Sequence, residues 1–127
     1  DTNLISKFLD RVRTYRLNVN CVGDAMLDEY YNVQVNRISP EFPMPIMSSS
    51  LGSSPQCRPG GAANVAHQLK NYNCRTYLAA PLDLNAAEIF YRAGVIMNGS
   101  LLMEENTGHI PIKRRFLHEG VQVNRWD

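Results

Sequence analysis

The sequence predicts an α/β fold with an antiparallel β appendage, and three observations carry that expectation. Segments whose apolar residues recur at helical spacing alternate with short strand-like segments. One or two of the strand-like runs form polar-apolar hairpins. The composition is that of a packed core: 44% of the 127 residues are hydrophobic and 20% are charged, and that length suits one domain. No internal repeat is present.

The elements follow in order. Leu4, Ile5, Phe8, Leu9 and Val12 fall at helical spacing with charged residues between them, which predicts an amphipathic helix over Leu4–Tyr15. Leu17, Val19 and Cys21 alternate up to Gly23-Asp24, a strand closing on a glycine turn. "EYYNVQVNRI" alternates and is rich in Tyr and Val, so it reads as a second strand. Prolines 40, 43 and 45 stop it, because proline donates nothing to a sheet ladder. "MPIMSSS" is a short strand candidate and "LGSSPQC" a loop by composition. A helix is expected over Ala62–Tyr72, with Val65, Ala66, Leu69 and Tyr72 on one face. "CRTYLAA" reads as a buried strand, and "LNAAEIFYRAG" as a helix stopped by Gly94. "GVIMNGSLLM" suggests strand-turn-strand. "IPIKRRFLHEGVQVNRWD" reads as a hairpin around His118-Glu119-Gly120.

Several function classes are disfavoured. A net charge of +1 with no basic face offers nothing to nucleic acid. The apolar stretches are far shorter than a membrane span, and the first sixteen residues lack the pattern of a secretory signal. Cys21, Cys57 and Cys74 are odd in number and lack CxxC spacing, so reduced thiols in a cytoplasmic protein are expected. His67, His109 and His118 show no metal-ligand spacing.

Four features are site-like. Gly60-Gly61 precede a helix start, where bare main chain and unpaired N–H groups suit hydroxyl or phosphate oxygens; a loop turning a corner would use the same residues. There is neither a Walker A pattern nor a GxGxxG fingerprint. Asn64 carries an amide that both donates and accepts, fit to bracket neighbouring sugar hydroxyls or equally to satisfy local backbone. Asp24 and Asp28 follow the first strand, at the end where open α/β sheets bind ligands; turn chemistry is the other use for such acids. Lys113, Arg114 and Arg115 form the only dense basic cluster. Strand alternation puts Lys113 and Arg115 on one face, suited to a phosphate or to protecting a sheet edge.

In order, "VGDAMLDEYY", "RISPEFPMPI" and "RPGGAANVAHQL" resemble the N-terminal part of the ribokinase-like (PfkB) carbohydrate kinases, and within them the bacterial heptose-7-phosphate kinase branch. "KRRFLHEGVQVNRWD" extends the resemblance, which runs from about Asn20 to Asp127. It implies part of a three-layer α/β/α domain with an antiparallel β lid, one partial domain over residues 1–127 with lid strands near 29–50 and 110–127. It implies that Asp28 and Asn64 hydrogen-bond sugar hydroxyls, that the Gly60-Gly61 main chain packs against the sugar, and that Lys113 and Arg115 meet a substrate phosphate. These groups, with Asp24, are expected to converge on one polyol pocket. The implied reaction is transfer of the ATP γ-phosphoryl group to a sugar hydroxyl, with ATP and Mg²⁺ serving the longer parent enzyme. The base and the nucleotide site belong to later family motifs, so the 127-residue chain is expected to bind no cofactor and to be inactive alone. A homodimer through the lid strands is also implied.

Two departures stand out. "APLDLNAAE" keeps Asp83 but lacks the family's flanking glycines, and Arg114 replaces an apolar residue, so Arg114 is not assigned to substrate. The alternatives are a non-catalytic sugar-binding or oligomerisation module of this fold, and a kinase of the same fold for another sugar or a nucleoside.

Overall fold

The computed structural model describes residues 2–49, 53–102 and 108–127. Parts of the expected "MPIMSSS", "LGSSPQC" and "GVIMNGSLLM" segments fall outside them. The chain forms two compact units. The first comprises Asp1–Leu27 and Arg58–Pro111, the second Asp28–Cys57 and Ile112–Asp127.

The first unit is the α/β part. Helix α1 (Thr2–Thr14) leads into strand β1 (Asn18–Val22), and β2 (Ala25–Asn32) starts in this unit. Strand β5 (Gln56–Gly61) ends in it and runs directly into α2 (Ala62–Leu69) and a 3₁₀ turn at Lys70–Tyr72. Then come β6 (Arg75–Ala79), β7 (Pro81–Leu82), α3 (Leu84–Arg92) and β8 (Leu101–Leu102). β1 and β6 pair in parallel from Asn18 opposite Arg75 to Val22 opposite Ala79, and α2 is the crossover helix packed on both. β7 and β8 form a second, short parallel pair, and Tyr77 bridges Ile96.

Helix α2 buries Ala63 and Ala66, whereas Val65 and Tyr72 of the expected apolar face are exposed. The alanines let the helix backbone lie close to the sheet. There the Thr76 hydroxyl donates to the Ala66 carbonyl at 3.0 Å, which satisfies the one buried side-chain hydroxyl of β6. Leu27, Leu78, Leu82 and Phe90 fill the core. Helix α3 buries Ala86 and Phe90, one turn apart, and Gly94 ends it at φ 76° as expected. α1 is helical as its spacing indicates, but Leu4, Ile5, Phe8 and Leu9 are exposed.

The second unit holds two antiparallel hairpins. β9 (Ile112–His118) and β10 (Val121–Trp126) form the expected hairpin. Its two loop residues, Glu119 (φ 49°) and Gly120 (φ 82°), both take positive φ, as a tight type I′ connection requires. The register slips by one residue between Gln122 and Asn124. β3 (Gln34–Ile38) and β4 (Pro45–Ser48) make a second hairpin. The larger sheet has the order β10-β9-β2-β5.

Two readings need correction. The strand expected at "EYYNVQVNRI" is two strands, the first beginning at Ala25, so Asp28, expected just past the end of the first strand, lies inside the second. The segment around Pro59-Gly60-Gly61 is the end of a strand, not a loop before a helix. Among the described residues, no helix is long and apolar enough to cross a membrane.

Candidate functional site

In the first unit the chain makes a corner at Gly61. Its φ of 57° and ψ of −134° belong to a region that side chains exclude. A Cβ there would sit 2.4 Å from the Asp24 carbonyl oxygen and 3.1 Å from Met26 Cε. That carbonyl accepts the Ala62 N–H at 2.9 Å, one of the orphan donors of the α2 start. Glycine at 61 is therefore demanded by the protein's own backbone. Gly60 is buried, while Asn64 and Asp24 are exposed. Among the described residues neither the Asn64 amide nor the Asp24 carboxylate has a hydrogen-bond partner.

Asp24 borders a cavity of about 300 Å³, with Ala25, Pro81, His109, Ile110 and Pro111 around it. Asp83 stands behind this wall with a structural task. One carboxylate oxygen caps α3, accepting the Ala86 N–H at 2.8 Å, and the other accepts the Ile110 N–H at 3.1 Å. His109 Nδ1 lies 3.8 Å from the same carboxylate.

In the second unit, β2 and β9 exchange charges on both faces of the sheet. On one face Arg115 Nη1 donates to Asp28 Oδ1 at 2.7 Å, and its guanidinium lies 5.2 Å from the centre of the Tyr30 ring. On the other face Arg114 Nε donates to Glu29 Oε2 at 2.9 Å and lies 5.4 Å from the Trp126 ring. The Tyr31 hydroxyl donates to the same Glu29 oxygen at 3.0 Å, and Tyr31 stacks on Phe116. Burial, then the hydrogen bond to Glu29, raise the Tyr31 pKa. Burial raises the Cys57 thiol pKa as well, with the Glu29 charge adding to it. Lys113 makes no ion pair among the described residues.

Of the sequence candidates, Asp24, Gly60, Gly61 and Asn64 thus belong to the first unit, and Asp28, Lys113 and Arg115 to the second. Alternation put Lys113 and Arg115 on one face and Arg114 on the other, and the partners of the two arginines follow that division. Among the described residues no group of three or more His, Cys, Asp or Glu is placed to hold a metal ion.

No protein-family model matches the chain. Bifunctional protein HldE of Shewanella loihica is 42% identical over 114 residues, which is 88% of this chain and 23% of that protein. The Hyphomonas neptunium HldE is 48% identical over 65 residues, 51% of this chain and 12% of the relative. Among solved structures, a nucleoside kinase of Methanocaldococcus jannaschii, an archaeal member of the ribokinase family, superposes with a TM-score of 0.59 at 20% identity, over 86% of this chain and 36% of that one. Phosphofructokinase-2 of Escherichia coli in complex with fructose-6-phosphate gives 0.60 at 16% identity, over 88% and 34%. The chain has the fold of these kinases and is similar in sequence to HldE. It spans less than a quarter of the length of these HldE proteins and about a third of the two solved kinases.

Sequence reasoning did not find the Glu29–Arg114–Tyr31 cluster. The alternation that splits Arg114 from Arg115 was its one available signal, and the same alternation separates Glu29 from Asp28 on β2. Nothing in the sequence pairs the two strands, since Glu29 and Arg114 are 85 residues apart.

Proposed function

We propose that this chain is the sugar-binding part of an ATP-dependent carbohydrate kinase whose acceptor is a heptose 7-phosphate. The observation that carries this reading is the 42% identity to HldE over 88% of the chain. The resemblance of its three ordered motifs to heptose-7-phosphate kinases supplies the acceptor. In the proposed reaction the anomeric oxygen forms a bond to the γ-phosphorus of ATP. The bond from that phosphorus to the bridging oxygen breaks, ADP leaves, and the hydroxyl proton passes to a base. None of the residues assigned here is that base, and we take the chain by itself to be inactive in phosphoryl transfer.

The side chains proposed to meet the sugar are Asp24, Asp28 and Asn64, with the main chain of Gly60 and Gly61. Carboxylates accept from hydroxyls, and the amide does both. Lys113 supplies positive charge for the sugar's own phosphate. Two further parts belong to the same reading: association of two copies through the β3–β4 and β9–β10 hairpins acting as lid, and a cytoplasmic location.

Isothermal titration of the chain with heptose 7-phosphate and with an unphosphorylated hexose tests the acceptor. Tighter binding of the heptose phosphate is expected. Equal binding of both, or binding of neither, overturns the assignment.

A further inference from the structure

The spacing of Lys113 and Arg115 on one face of β9 suits two cations aimed at one phosphate. The structure separates their roles. Arg115 is already engaged: its Nη1 donates to Asp28 Oδ1 at 2.7 Å, and both side chains are largely buried, 20% and 17% exposed. Its guanidinium is also held against the Tyr30 ring. Tyr30 and Asp28 are two residues apart on β2 and so share a face. Turning Arg115 toward a phosphate would take from a largely buried carboxylate the one cation hydrogen-bonded to it, leaving it the charge of Arg125, which makes no hydrogen bond to it. Asp28 Oδ2 has no partner among the described residues.

We propose that Arg115 is a positioning residue for Asp28 and not a phosphate ligand. It fixes one carboxylate oxygen, so that the other faces a single sugar hydroxyl. It also offsets the negative charge that Asp28 would otherwise present to an anionic sugar phosphate. Lys113, on the same face and without an ion pair, is the cation left for the phosphate. The inference rests on the sugar-binding reading above and deepens it. Lysine at 115 is a poor substitute, because an ammonium lacks the planar fork that donates to the carboxylate while stacking on Tyr30.

The test is titration of wild-type, Arg115→Ala, Arg115→Lys and Lys113→Ala chains with heptose 7-phosphate and with the same heptose lacking phosphate. Circular dichroism confirms that each variant is folded. Arg115→Ala is expected to weaken both sugars by the same factor, on the order of 10- to 100-fold, the range of a hydrogen bond to a charged group. Arg115→Lys is expected to weaken both equally but less, and it decides the matter if the alanine variant does not fold. Lys113→Ala should weaken the phosphorylated sugar alone. If Arg115→Ala weakens only the phosphorylated sugar, Arg115 is a phosphate ligand and the proposal is wrong. If the unphosphorylated sugar binds too weakly to titrate, a double-mutant cycle of Asp28→Asn with Arg115→Ala on heptose 7-phosphate decides. Non-additive losses support the proposal, and additive losses overturn it. A wild-type chain that binds neither sugar refutes the sugar-binding reading itself, a separate outcome that takes this inference with it.

Discussion

Replacing Gly61 by alanine should destabilise the chain severely, for reasons internal to its first unit. Two terms add. The backbone at φ 57° and ψ −134° is one that side chains avoid, and holding a non-glycine residue there costs about 1–3 kcal/mol. The new Cβ would also lie 2.4 Å from the Asp24 carbonyl oxygen. Ordinary contact requires a separation larger by roughly 1 Å. The carbonyl cannot withdraw that far and keep its 2.9 Å hydrogen bond from Ala62, whose loss adds about 0.5–1.5 kcal/mol. The sum is about 1.5–4.5 kcal/mol, which for a domain of this size lowers Tm by on the order of 10 °C. Urea denaturation followed by circular dichroism measures it. Gly120→Ala is the matched control: its φ of 82° is also positive, but a Cβ there meets nothing within 4 Å. Only the conformational penalty of about 1 kcal/mol applies. If Gly61→Ala loses no more stability than Gly120→Ala, the close approach to Asp24 does not exist as described.

The other expectations concern polar groups. Asp83→Ala should lower stability by about 1–2 kcal/mol through loss of the α3 cap and of the Ile110 tie, with Asp83→Asn recovering part of it; equal urea midpoints for wild type and Asp83→Ala would contradict the cap. Arg114→Ala should be more destabilising than the double change Arg114→Ala with Glu29→Gln, because the single change leaves the Glu29 carboxylate, 9% exposed, without its cation; the reverse order in thermal melts would refute the pairing. The Asp127 carboxyl sits below its ordinary pKa, first through its hydrogen bonds from Arg125. A depressed carboxylate stabilises the fold above its unfolded pKa, and the contribution disappears as pH falls through the folded value, below about pH 4. Asp127→Asn should therefore lower Tm at pH 7 and match wild type in strong acid, which a pH series of melts will decide.

The sequence made some of this legible and concealed the rest for identifiable reasons. α1, α3 and the β9–β10 hairpin were readable because each carries a long periodic pattern or a turn residue whose φ leaves little choice, as at Gly94 and Gly120. β5 was not, because Pro59, Gly60 and Gly61 have no intrinsic taste for a strand; pairing with β2 imposes it. The apolar face expected for α2 holds at Ala66 and fails at Val65 and Tyr72. Packing close to β1 and β6 selects Ala63 and Ala66 and leaves Val65 outside. Among the site candidates, the residue types and the face division of the basic cluster were legible. Which carboxylate each arginine takes was not, because that depends on the register of strands more than eighty residues apart.

A motif read as a ligand signature mixes two kinds of residue, and here the geometry separates them. Gly61 lets the chain pass the Asp24 carbonyl, Asp83 caps a helix and anchors Ile110, and Arg115 holds Asp28. Each has a full occupation without any ligand, so its presence alone is weak grounds for one. Asp24, Asn64 and Lys113 are different: among the described residues their polar ends have no hydrogen-bond or ion-pair partner, and Asp24 borders a cavity. Solvated polar groups are common on any surface, but these three stand beside residues whose backbone or charge pairing is tightly constrained. Expensive local constraint next to idle polar groups is what preorganisation looks like before a ligand arrives. On that reasoning Asp24→Ala, Asn64→Ala and Lys113→Ala should each weaken sugar binding while leaving the urea midpoint within about 0.5 kcal/mol of wild type. Gly61→Ala should instead lower stability, and a Gly61→Ala chain as stable as wild type but unable to bind sugar would show that the division was drawn in the wrong place.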